Sequence, residues 1–132
     1  MNNLALIYES SGRLEQAHTL LEQAIQIDPS SDAVYLNLAG YYARQHRVLE
    51  ALENYKRAAA VNSQSALPLI EIGRIYLERG QTDRALDQLN AALDLDPHSL
   101  DAYALLAALY DKSGRKKEAD AAREESKRIK PS

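Results

Sequence analysis

Residues 32–65 read DAVYLNLAGYYARQHRVLEALENYKRAAAVNSQS. Tyr35, Leu38, Ala39 and Tyr42 fall at i, i+3, i+4 and i+7, a spacing that lines one face of an α-helix. Such a face needs cover from water, and the cover is close at hand. Leu52, Tyr55, Ala58 and Ala59 repeat the helical spacing in a second run that is expected to end near Val61. Ser31 stands before the first run as an N-cap, its hydroxyl placed to accept from an otherwise unpaired backbone N–H. The first helix is expected to run to about Gln45, where His46-Arg47 interrupts the pattern. Two helices joined by so short a turn form an antiparallel hairpin, and Ala51 and Ala58 are small enough to let its axes approach closely.

The stretch is one copy of a unit. Tyr8, Tyr42, Tyr76 and Tyr110 are spaced 34 residues apart, as are Ala17, Ala51, Ala85 and Ala119. Leu4, Leu38, Ile72 and Leu106 keep the same step without insertion, and so do Ser31, Ser65 and Ser99, each read as an N-cap. Sustained identity at this period marks a stack of one supersecondary unit. The expected organisation is a single array over 1–132, with repeats at about 1–31, 32–65, 66–99 and 100–131. Gly12, Gly80 and Gly114 share the column of His46, where a left-handed residue just past a helix end is expected. Histidine tolerates positive φ better than most non-glycine residues, so His46 is read as structural. Asp28-Pro29 and Asp96-Pro97 close their units, because proline cannot continue a helix. Asn62-Ser63-Gln64-Ser65 forms a turn without that stop, and Pro68 is harmless in a first turn.

The pattern Tyr35-x2-Leu38-Ala39-x2-Tyr42, followed by Ala51-x3-Tyr55, resembles the tetratricopeptide repeat. The third unit resembles it more closely, with Leu69, Ile72-Gly73, Tyr76, Ala85, Leu89 and Pro97 in order. The resemblance implies an all-α, right-handed solenoid of about four helix-turn-helix repeats, the first truncated at its N-terminus. It also implies a protein–protein interaction scaffold whose first helices line a concave groove for a peptide or helix of another protein. The basic, asparagine-rich clamp with which some members of that family hold chaperone tails is not matched. Asn2, Leu6, Asn37, Leu67 and Glu71 occupy those places, and only Asn37 agrees.

Addition of about 100° per residue finds the face of each first helix opposite its tyrosine stripe. In the second unit this face carries Ala33, Leu36, Gly40, Ala43 and Arg44, with Asn37 at its margin. In the third it carries Leu67, Ile70, Arg74 and Leu77, with Glu78, and Glu71 at the margin. In the fourth it carries Asp101, Ala104, Ala108, Asp111 and Lys112, beside Leu105. Surface helices are normally charged on such a face, whereas Leu36, Leu67, Ile70 and Leu77 are large and apolar. Either these side chains line the partner groove or they pack between neighbouring first helices.

The two ends contrast. Lys116, Asp120, Arg123 and Lys127 replace Val48, Leu52, Tyr55 and Ala59, so the last helix, about Lys116 to Ile129, is read as a polar cap. Met1, Leu4 and Ile7 are apolar and have no such substitution, and Met1 occupies the column of Tyr35 and Tyr103. This N-terminal edge is expected to have lost a preceding unit, to meet a partner or to fray over residues 1–10, and a homodimer through it is the alternative functional expectation, with a spacer role in a larger protein.

Composition excludes several classes. No cysteine is present, so thiol catalysis and disulfides are excluded. A net charge of −3 gives no general attraction to phosphate backbones, so no nucleic-acid partner is expected. No run approaches a membrane span and no targeting signal is seen, which leaves a cytoplasmic protein without membrane partner as the default. His18, His46 and His98 lie in different columns, and no phosphate loop, dinucleotide fingerprint or nucleophile elbow occurs. Neither a catalytic role, a metal site nor a cofactor is expected.

Overall fold

The structure, a computed structural model, describes residues 14–27 and 30–129, which form helices α1 (Leu14–Ile27), α2 (Asp32–Arg44), α3 (Val48–Val61), α4 (Leu67–Glu78), α5 (Thr82–Leu95), α6 (Leu100–Lys112) and α7 (Lys116–Ile129). There are two compact units, 1–63 and 64–132. In the first, α2 and α3 form a hairpin and α1 packs on α2. In the second, hairpins α4–α5 and α6–α7 are joined through packing of α5 on α6, and α4 also touches α6.

Each hairpin turns on the same backbone device. At the end of α2, the His46 N–H donates to Ala43 O at 3.0 Å and the Arg47 N–H to Tyr42 O at 2.9 Å. This pair of bonds is the Schellman motif, which satisfies carbonyls that the helix end leaves unpaired. Gly80 with Gln81, and Gly114 with Arg115, make the corresponding bonds to Leu77 and Tyr76 and to Asp111 and Tyr110. The motif needs a left-handed residue, and φ is 60° at His46, 76° at Gly80 and 72° at Gly114. The column of glycines and one histidine is therefore the turn itself.

The hairpin seams are built from the small residues. Ala51, Ala58, Ala85, Ala92 and Ala119 are wholly enclosed, and Leu38, Ala39 and Tyr42 of α2 and Leu89 of α5 are buried. A Cβ on Gly73 would come within 3.0 Å of the Leu89 side chain, so α4 and α5 approach as closely as a missing methyl allows. Tyr42 and Tyr76 are buried, while Tyr110 is half-buried. In the hairpin α6–α7, Arg123 stands in the column of Tyr55 and Leu89 and reaches to Asp111 and Asp120.

Two capping expectations change. Ser99 caps α6, accepting from the Ala102 N–H at 3.2 Å. Ser31 occupies the N-cap position of α2 with extended backbone but its side chain makes no capping bond. Ser65 is not at the N-cap, because α4 begins after Ala66, whose backbone is already helical, with Pro68 in the first turn. The proline tolerated there has no N–H to be capped, which lowers the demand for a serine. Tyr8, Gly12, Asp28, Pro29 and Pro131 lie outside the described residues.

Candidate functional site

The faces opposite the seams differ in how open they are. On α2, Leu36, Asn37 and Gly40 are half-buried and Ala33, Ala43 and Arg44 exposed. The Arg44 guanidinium lies over Gly40, where an added Cβ would make an ordinary contact at 3.5 Å. On α6, Asp101, Ala104, Ala108, Asp111 and Lys112 are exposed and Leu105 is half-buried. Ala104 and Ala108 stand one turn apart, so α6 offers a shallow strip of backbone and methyl groups with charge at either end.

On α4 the expectation is divided. Leu67 is 49% exposed, whereas Ile70 and Leu77 are each 5% exposed and belong to the core. A helix packed against both α5 and α6 has a wider arc to cover than one helical stripe, and these two side chains supply it. They fit the packing between neighbouring first helices that the sequence left open. Glu71 and Arg74 are half-buried and paired at 3.6 Å, and the Arg74 Nε is enclosed without a hydrogen-bond acceptor. Met1, Leu4 and Ile7 lie outside the described residues.

Several features escaped the periodicity. Val34 and Tyr41 are buried beside the expected stripe, and the Tyr41 ring meets Tyr42 edge-on at 5.4 Å. Burial raises the Tyr42 pKa above 10.0, with Glu22 adding to the shift. Leu49 is 69% exposed in a column otherwise held by Glu15, Asp83 and Lys117, and a single apolar residue at a surface needs no special account. Arginine guanidinium groups lie over tyrosine rings at all three described turns: Arg47 over Tyr42 at 5.2 Å, Arg84 over Tyr76 at 6.0 Å and Arg115 over Tyr110 at 5.1 Å. The column Arg13, Arg47, Gln81, Arg115 was the available signal.

Convergent chemistry is not found among the described residues. No group of three or more His, Asp or Glu side chains is placed to hold a metal ion there. His46 sits in its turn and His98 in a connecting loop, both exposed. A surface depression of about 430 Å³ is lined by Gly80, Gln81, Thr82, Asp83 and Arg84, one turn and the start of one helix. No helix of the described residues is long and apolar enough to cross a membrane.

Helix hairpins with one recurring turn and one recurring seam define an all-α solenoid of the tetratricopeptide type, a fold that serves as a protein–protein interaction scaffold and is typically non-catalytic. The chain belongs to the family of the cilia and flagella-associated protein 70 middle TPR-like domain, which it matches over residues 1–130. It is 43% identical over 86 residues to the type IV pilus assembly protein PilF of Pseudomonas aeruginosa, covering 65% of this chain and 34% of that protein. It is 25% identical over 91 residues to anaphase-promoting complex subunit 3 of Dictyostelium discoideum, covering 69% of this chain and 9% of that protein. The chain thus spans about a third or less of these relatives' lengths. A tetratricopeptide repeat protein from Parabacteroides merdae superposes with a TM-score of 0.86 at 23% identity, over 97% of this chain and 51% of that one. That likeness is one of fold.

Proposed function

We propose that the chain is a non-catalytic binding module, its hairpins forming one array, and that it captures an apolar or amphipathic segment of another protein on its first-helix faces. The observation that carries this reading is the exposed Ala104–Ala108 strip of α6, together with a half-exposed Leu67 on α4, a helix that α6 touches. Isolated surface helices place long charged side chains there, whereas a partner laid along the strip can approach the α6 backbone closely and shed water from methyl groups. The α2 face, with Leu36, Asn37, Gly40 and Arg44, is a second such surface on the other unit. Recognition by shape and apolar contact is the helix-in-groove mode, in which anchors at i, i+3 or i+4 and i+7 supply specificity.

A displayed library of helical peptides, selected against the whole chain, tests the reading. The expected products carry an apolar stripe at helical spacing, and Ala104→Arg with Ala108→Arg weakens them at least ten-fold without loss of helicity. Selected peptides that bind the double variant as well as the parent would contradict it. Leu67→Glu is a further exposed probe; Ile70 is unsuitable, because a buried glutamate would unfold its surroundings and obscure the result.

A further inference from the structure

We propose that each described helix hairpin is stapled by an arginine laid on the last tyrosine of its first helix, and that the hairpin of the third repeat, α4–α5, preserves the staple by relocating the arginine three residues along the chain. The second and fourth hairpins draw the cation from the residue that completes the Schellman turn, Arg47 and Arg115. Each is also paired with a glutamate one turn later, Glu50 and Glu118, both at 2.6 Å. The third hairpin has Gln81 in the first of these columns and Arg84 in the second. Both columns have changed, yet a guanidinium still reaches the Tyr76 ring. A cation is lost from one position and gained at the other, with the same ring beneath.

The physical basis is the attraction of a cation to the negative face of an aromatic ring, effective within about 6 Å of its centroid. In these hairpins the ring belongs to the first helix, while the cation belongs to the turn or to the second helix. The contact therefore resists splaying at the end where only the turn holds the pair together. At 6.0 Å the relocated staple is the longest of the three.

Amide hydrogen exchange of the whole chain tests the proposal, with the Gln81 N–H, bonded to Tyr76 O at 2.8 Å, as the local reporter. Arginine and glutamine have similar helix propensities, so Arg84→Gln removes the cation with little other effect. Exchange at Gln81 is expected to quicken about three-fold, the order of an exposed cation–aromatic contact, while that at Arg115 stays unchanged. Arg84→Lys is expected to retain most of the protection, and Gln81→Arg combined with Arg84→Gln to restore it. Unaltered exchange in Arg84→Gln, or a double variant that exchanges as fast as Arg84→Gln alone, overturns the proposal.

Discussion

Tyr76 shows what one position in a repeat column carries. Its ring is buried, its carbonyl receives the turn's N–H from Gln81, and a guanidinium rests on its face. Tyr76→Ala is expected to cost about 3–5 kcal/mol by loss of transfer energy and the cavity left behind, measured by denaturant unfolding. A cost below about 1 kcal/mol would show that the ring is not a core anchor. Tyr42 gives a pH dependence. Its pKa is raised by burial, so the folded state holds the phenol proton more tightly than the unfolded chain does. The stabilisation is complete below pH 10.0 and is lost as pH rises through the higher folded value. Alkaline unfolding followed by circular dichroism is expected to begin at higher pH in Tyr42→Phe, provided its neutral stability matches the parent's; identical alkaline profiles would contradict this.

At the scale of the helix and its turn, the sequence was most informative where geometry leaves little choice. The end of α3 at Val61 follows from apolar spacing, the bounds of α7 at Lys116–Ile129 follow from the 34-residue register, and the turns follow from a column that only left-handed residues fit. Ser65 was less legible, because a serine before a helix can cap it or merely precede it, and local backbone angles determine which. The arginine staples were hidden for another reason: relocation from Gln81 to Arg84 breaks the column that would have revealed them. His46 offers a clean test. Its φ of 60° is strained for a side-chain-bearing residue, so His46→Gly is expected to stabilise the chain by about 0.5–1 kcal/mol despite the greater entropy of the unfolded glycine. Destabilisation in thermal unfolding would mean that the imidazole makes a contribution beyond the turn.

For the whole molecule, a tyrosine-centred repeat made the fold legible, but the same periodicity could not separate buried from open residues on the opposite face. A helical wheel treats Leu67, Ile70 and Leu77 alike, yet only Leu67 is substantially exposed, because packing of α4 on α6 depends on the neighbouring hairpin and not on the helix's own sequence. Ala104 and Ala108, which the same wheel places on that face, are open to water. The candidate surface is therefore narrower than the sequence alone suggested and lies most clearly on α6. Amide chemical-shift mapping of the whole chain, titrated with a peptide recovered by the display selection, tests that surface most directly. Perturbations are expected to group around Leu67, Ala104 and Ala108; a cluster on the polar outer side of α7, around Asp120, Glu124 and Lys127, would contradict that surface.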